Sequence, residues 1–268
     1  MTRQEKVAAF RALHVPGDPF VMPNPWDLGS AKVLAGLGAK ALATTSSGHA
    51  FTLGRVDGGL VSRDEALEHA AAISAAVDVP VSGDFENGYG ADPETVAETV
   101  RLAAEAGLAG VSIEDTELPG DGAYAFDHAV ARVEAAVEAA KSAEIVFCAR
   151  ADGWLTRTYD GAEALRRCRA FAEAGAEVIY APLVKEEVLQ ELCSIGTPVN
   201  VLAAGKMSQI PVTRFAEIGV ARISIGGALA RLTQLTLMQA AKAMLDDGDL
   251  TPLGQAAAGG AVDDFLSA

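Results

Sequence analysis

Short apolar runs rich in β-branched residues recur along the chain. Each is followed by a stretch in which Ala, Leu, Glu and Arg repeat at helical spacing. The runs predict strands over Phe20–Pro23, Ala39–Thr45, Val79–Asp84, Gly110–Glu114, Ile145–Arg150, Val178–Ala181, Pro198–Leu202 and Arg222–Ile225. The stretches between them predict helices near Trp26–Leu37, Arg63–Val77, Pro93–Ala106, Asp127–Ala140, Gly161–Ala174, Lys185–Ser194, Pro211–Ile218 and Ala228–Asp246. The strands are almost uniformly apolar, as expected when both faces of a sheet are covered. Leu37-Gly38, Ala106-Gly107, Ala174-Gly175 and Ile218-Gly219 each stand before or at the start of a strand region. A glycine just past a helix can close it in the left-handed conformation. Ser62 before Arg63-Asp-Glu65, and Asp92-Pro93-Glu-Thr95, read as helix starts. Eight strand–helix units predict an α/β protein of the (β/α)8 TIM-barrel class. They form one domain over residues 1–268, with 247–268 as a C-terminal tail. A doubly wound open sheet would need fewer units or a split chain, and no linker is visible. The apolar tail segment Val262–Leu266 is expected to dock, on its own barrel or on a neighbouring subunit.

Composition narrows the function classes. Of 268 residues, 50% are hydrophobic and 21% charged, a globular composition. The formal charge of −15 argues against a reader of the nucleic-acid backbone, which needs a basic face, and against an anionic membrane surface as a partner. Cys148, Cys168 and Cys193 fit neither a zinc spacing nor a closed disulfide framework. The polar N-terminus lacks a signal-peptide core, and no run approaches a membrane span, so a cytoplasmic protein is expected.

In such a barrel, polar residues just past each strand face one pocket. In order these are Asn24-Pro25-Trp26-Asp27, Thr45-Ser46-Ser47-Gly48-His49, Asp84-Phe-Glu86-Asn-Gly-Tyr-Gly90, Glu114-Asp115, Arg150-Ala-Asp152, Tyr180, Asn200 and Ser224 to Gly227. Asp84 and Glu86 would share a face if strand geometry continued past the strand, and Glu114 ends the adjacent strand. Three converging carboxylates call for a cation, and an all-oxygen set favours Mg²⁺ or Mn²⁺ over zinc. The alternative is that they are capping or salt-bridge residues. Arg150 ends an apolar run and should face an anion, whether a substrate carboxylate or a barrel-mouth partner such as Asp152 or Glu114. Ser46, Ser47 and Gly48 offer hydroxyls and N–H groups to a second anionic oxygen. Trp26 is a weaker substrate-binding candidate and His49 a possible acid/base group; His14, His69 and His128 read as surface or packing histidines. The loops Ser46–Ser62 and Asp115–Phe126 are the longest irregular stretches.

Ser47-Gly48, Leu53-Gly54-Arg-Val-Asp57, Gly83-Asp84-Phe-Glu86-Asn-Gly88-Tyr89-Gly90, Gly110-Val-Ser-Ile-Glu114-Asp115, Ala149-Arg150-Ala-Asp152 and Ala174-Gly175-Ala176 together resemble the isocitrate lyase/phosphoenolpyruvate mutase superfamily, over about residues 5–245. The resemblance implies a (β/α)8 barrel, often with a swapped C-terminal helix, in homodimers or homotetramers. It implies Mg²⁺ on Asp84, with Glu86 and Glu114 acting directly or through water. A small anionic 2-oxo acid, or its enolate, would meet Ser47, Gly48 and Arg150, and Asp57 would stand on a mobile gating loop. Asn200 joins Trp26, Ser46, Ser47, Gly48 and Arg150 as substrate-binding candidates. Asp57, Arg150 and Glu114 are the catalytic candidates.

The chain departs from the family in the loop after the fourth strand. Asp115-Thr-Glu-Leu-Pro-Gly-Asp-Gly-Ala-Tyr124 carries no Cys, His or Lys, where isocitrate-cleaving lyases have a Cys-Gly-His motif. It also lacks the Asn of phosphonopyruvate enzymes, and Ala181 stands where they have a His. The expectation is a Mg²⁺-dependent carbon–carbon lyase acting on a small 2-oxo acid or related carboxylate through an enolpyruvate-type intermediate. Phosphonopyruvate hydrolase or mutase chemistry, and a non-catalytic 2-oxo acid binder, are the alternatives.

Overall fold

The computed structural model describes residues 1–267. Its strands are β1 (Phe20–Met22), β2 (Leu42–Ala43), β3 (Val81–Asp84), β4 (Gly110–Glu114), β5 (Val146–Arg150), β6 (Val178–Tyr180), β7 (Val199–Leu202) and β8 (Arg222–Ser224). All pairings are parallel, in the order β1-β8-β7-β6-β5-β4-β3-β2. The gap between β1 and β2 is bridged by the Ala43 N–H donating to the Pro23 carbonyl at 3.1 Å, so the barrel is nearly closed. The expected (β/α)8 architecture is therefore the observed one.

The helices are α1 (Arg3–Ala12), α2 (Leu28–Gly36), α3 (Ser46–Thr52), α4 (Arg63–Ala76), α5 (Pro93–Glu105), α6 (Phe126–Ala143), α7 (Gly153–Thr156), α8 (Gly161–Glu173), α9 (Glu186–Cys193), α10 (Val212–Ile218), α11 (Ala228–Asp247) and α12 (Gly259–Ser267). The predicted punctuation holds. Ser62 and Glu65 form a reciprocal cap on α4, and Asp92 caps α5 with Pro93 in its first turn. Gly38, Gly107, Gly175 and Gly219 all adopt φ between 84° and 103°, a region that residues bearing a Cβ rarely adopt.

Two cores result. The larger packs the outer faces of the strands against the helices. The smaller fills the lower barrel with Val7, Phe10, Phe20, Met22, Val146, Cys148 and Val178 among others. Its lid is α1, which the strand–helix alternation does not reveal. Only Val7 and Phe10 on this helix are buried apolar anchors, too few to set a period. Phe10 is fully buried edge-to-face on Phe20, and Lys6 donates to the carbonyls of Ser74 and Val77 at 3.2 and 2.7 Å. The tail is structured in its described part: α12 packs on α2, with Phe265 over Gly36 and Lys32 donating to the Leu266 carbonyl at 2.7 Å. Ala268 lies outside the described residues. By contrast, α11 buries only Ala230 and leaves Leu232, Leu235, Leu237, Met238 and Leu245 exposed. No helix of the described residues is long and apolar enough to cross a membrane.

His14, just past α1, is buried beneath the barrel. Its Nδ1–H donates to the Phe10 carbonyl at 2.8 Å, and its Nε2 accepts from Arg222 at 3.2 Å, which defines a neutral ring. Burial and the Arg222 charge push it down to about 3. An unfolded histidine titrates near 6.5. The neutral ring therefore contributes its full stabilisation above about pH 6.5, and loses it progressively as pH falls towards 3. Unfolding free energy measured in urea should fall in this window. His14→Gln should flatten the slope by about 1.4 kcal/mol per pH unit; an unchanged slope would contradict the neutral buried ring.

Candidate functional site

The C-terminal ends of the strands open into a cavity of about 540 Å³ that runs down the barrel axis. Met22, Asn24, Thr44, Ser46, Ser47, Asp57, Asp84, Arg150, Tyr180, Asn200 and Ser224 are among its lining residues. Arg150 is its electrostatic centre. Nη1 donates to Asp84 Oδ1 at 2.7 Å, Nη2 lies 2.9 Å from Glu114 Oε2, and Nε and Nη2 grip Asp152 at 3.1 and 2.6 Å. The register explains the meeting: Glu114 is paired with Arg150 across β4 and β5, and Asp84 ends β3 on the other side of β4. Both partners suggested for Arg150 at the barrel mouth, Asp152 and Glu114, are thus engaged, together with Asp84. The carboxylates hold the guanidinium well above its ordinary range despite burial, which opposes charge. The Arg150 fork lies 5.4 Å from the Tyr180 ring centre.

The two-residue spacing of Asp84 and Glu86 does not put them on one face. β3 ends at Asp84, and Glu86 has φ +44°, so the strand pleat stops before it. Asp84 Oδ2 accepts from the Ser46 N–H at 3.0 Å, while Glu86 turns away from Arg150 and accepts from the Gly59 N–H at 3.0 Å. Its other oxygen, Oε2, is buried with no hydrogen-bond partner. Burial, then Asp84 and Asp57, push Glu86 up to about 7 against the opposing Gly59 bond. Glu114 is raised by burial against the pull of Arg150, and also accepts from Thr116. Among the described residues, no three His, Cys, Asp or Glu side chains stand ready-made as a metal cluster. The oxygens are nonetheless hard donors: Asp84, Glu114 and Asp152 contact Arg150, and Asp57 and Glu86 lie near Asp84, more negative charge than one guanidinium balances. That excess, with the orphaned Glu86 oxygen, fits a divalent cation completed by water.

The loop after β2 departs from the irregular stretch expected. Thr45 caps α3, so Ser46 to Gly48 form the first helical turn. Ser46 and Ser47 line the cavity, but Gly48 and Trp26 do not. The Gly48 N–H is spent on Thr45 Oγ1 at 3.4 Å, and a Cβ at Gly48 would strike Trp26, so this pair packs behind the wall. His49 is buried, stacked on His69 at 3.8 Å, and pushed down to about 4 by burial and by His69. The segment after α3 reaches the site twice: Asp57 lines the cavity beside Ser46, and Gly59 holds Glu86. Desolvation by the surrounding chain and the Asp84 charge raise Asp57. Gly59 also lies close to Pro119, joining the two mouth loops. Asn200 lines the cavity, with both amide atoms engaged by Arg222 and Ser224 at 2.9 Å.

Two further residues matter to the site: Asn24, expected at the pocket, and Arg222, which the sequence does not single out. Asn24 stitches β1 to its neighbours, donating to the Thr44 carbonyl and accepting from the N–H groups of Ile225 and Gly226 at 3.0 and 2.9 Å. Arg222 lies buried in the cavity wall. Its only signal in the sequence is a charged residue inside an otherwise apolar strand.

Known proteins share this architecture. A solved structure from Burkholderia cenocepacia J2315, described provisionally as a lyase/mutase, is 41% identical with a TM-score of 0.94, covering 99% of this chain and 97% of that one. An uncharacterized protein of Mycobacterium tuberculosis is 32% identical over 91% of each chain. The 2,3-dimethylmalate lyase of Eubacterium barkeri is 31% identical over 84% of this chain and 79% of its own. The family model described as phosphoenolpyruvate phosphomutase matches residues 10–245, the span that holds every strand and every carboxylate around Arg150. The chain therefore belongs to the isocitrate lyase/phosphoenolpyruvate mutase superfamily of lyases and mutases.

Proposed function

We propose that the protein is a carbon–carbon lyase acting on a small 2-oxo acid or a related carboxylate, with a Mg²⁺ or Mn²⁺ ion. The observation that carries this reading is Arg150 held at the cavity wall between Asp84 and Glu114, with surplus carboxylates around it. When bound, the cation would act as a Lewis acid on the substrate's oxygens, held by Asp84 with Glu86 and Glu114 directly or through water. The chain's own groups do the rest. Arg150 faces the charge that develops as the bond to the leaving fragment breaks, and its bidentate grip on Asp152 keeps the fork aimed. Ser46 and Ser47 receive the substrate carboxylate from the α3 side. Asp57, raised and close to Ser46, is placed to deliver or take a proton at the cavity mouth. Tyr89, held well above its ordinary range by burial and by Glu86, stays a neutral phenol.

The absence of Cys, His and Lys from residues 115–124 favours substrates smaller than tricarboxylates. Cleavage would proceed by retro-aldol reaction or decarboxylation. Assembly into homodimers or homotetramers belongs to the same proposal, supported by the exposed leucines of α11. The deciding experiment is a Mg²⁺-supplemented panel of oxaloacetate, substituted malates, methylisocitrate and phosphonopyruvate, read by pyruvate release. Pyruvate from one of the carbon acids is the expected result. Release of inorganic phosphate from phosphonopyruvate alone would replace the reading with P–C chemistry. Calorimetric binding of a 2-oxo acid without turnover would make the protein a binder.

A further inference from the structure

At the bottom of the same cavity lies a cation that the chemistry above does not use. Arg222 on β8 is 2% exposed and lines the cavity. Its partners are all neutral: Nε donates to Asn200 Oδ1 at 2.9 Å, Nη1 to His14 Nε2 at 3.2 Å, and Nη2 to Cys148 Sγ at 3.0 Å. Among the described residues, no carboxylate forms an ion pair with it, whereas Arg150 and Arg167 each have one; Arg132, also buried without a carboxylate, is instead held by the backbone carbonyls of Asn87, Gly90 and Ala91. A buried charge without a counter-ion is costly unless hydrogen bonds or a bound anion compensate it. A guanidinium carries five N–H groups, so two remain after these three bonds. Ser82, Ser112 and Ser224 line the cavity with it, giving a polar lower wall where barrels of this kind are normally filled with branched apolar side chains.

We propose that Arg222 is a second anion-recognition residue, which selects substrates bearing a second carboxylate. The inference rests on the lyase reading and names its substrate class: a short dicarboxylate bound between Arg150 and Arg222. Both guanidinium groups meet β5. Arg222 contacts Cys148, and Arg150 lies two residues further along the same face of the strand. Both line the one cavity, and a short diacid carries a carboxylate at each end, one for each guanidinium. Asn200 fixes the fork, and is itself held by Ser224 at 2.9 Å, so the cation is aimed before the ligand arrives.

The test uses the full chain with Mg²⁺ and two stable probes that differ only in the second carboxylate, lactate and malate, titrated by calorimetry. The wild type should bind malate at least about tenfold more tightly than lactate, and Arg222→Gln should erase that ratio. Arg222→Lys should restore part of it. Arg222 is buried, so thermal unfolding of each variant accompanies the titrations. A structural role alone would weaken both probes together and leave the ratio intact, and that result would overturn the proposal. So would an Arg222→Gln protein with the wild-type ratio, or a wild type that does not distinguish the acids. The lyase reading is judged separately, by pyruvate release from the substrate panel, and would survive any of these results.

Discussion

Asp84→Ala is expected to abolish divalent-cation binding and to lower turnover by at least about 10²–10³-fold in the same protein. Asp84 joins two parts of the site. One oxygen holds Arg150 and the other holds the first N–H of α3, where the candidate carboxylate-binding serines begin. Removing it takes away the leading cation ligand and frees Arg150 to settle on Asp152 and Glu114. Asp84→Asn separates the contributions. It keeps the shape and an acceptor oxygen but removes the charge, so cation affinity should fall while the fold of the mouth persists. Calorimetric titration with Mg²⁺ and Mn²⁺, beside the pyruvate assay, measures both effects. Undiminished cation affinity in Asp84→Ala would remove the metal from the reading.

The largest expected loss of stability lies one layer behind. Arg167 on α8 and Asp115 after β4 are both buried and 2.8 Å apart. Asp115 also accepts from the Tyr159 hydroxyl at 2.9 Å and from the Asp152 N–H at 2.8 Å. Burial raises Asp115 and these bonds oppose the rise, so its charge persists only because its partners are in place. Arg167→Met should destabilise the protein by about 3–5 kcal/mol, because it strands a buried carboxylate. Adding Asp115→Leu should recover part of that loss, as an apolar pair replaces an unpaired charge. Chemical unfolding of the two single variants and the double variant checks both statements. Additive losses would show that the pair is not coupled. Since Asp152 orients Arg150, the single variant should also lose turnover beyond what its unfolded fraction explains.

Much of this architecture is legible before any coordinates. Uniformly apolar runs mark strands covered on both faces, and the glycines and capping residues between them mark where helices stop and start. These are local properties of a few neighbouring residues. The failures are equally physical. The helix Arg3–Ala12 buries too few residues to show a period, and α3 begins with Ser-Ser-Gly, which reads as a loop until Thr45 caps it. The pairing of Asp84 with Glu86 assumed that a strand continues; the positive φ of Glu86 breaks it. Position after a strand and family resemblance both point Trp26 and Gly48 toward the substrate, yet the two pack against each other and neither lines the cavity.

The sequence by itself determined eight βα units, their order and the strand ends at which chemistry gathers, because burial periodicity and backbone punctuation are written in neighbouring residues. The tertiary structure alone decided which charges meet. Arg150 and Asp84 are 66 positions apart, and Arg222 and Cys148 are 74 apart. Their contacts depend on strand register and on side chains crossing the barrel, which local patterning does not encode.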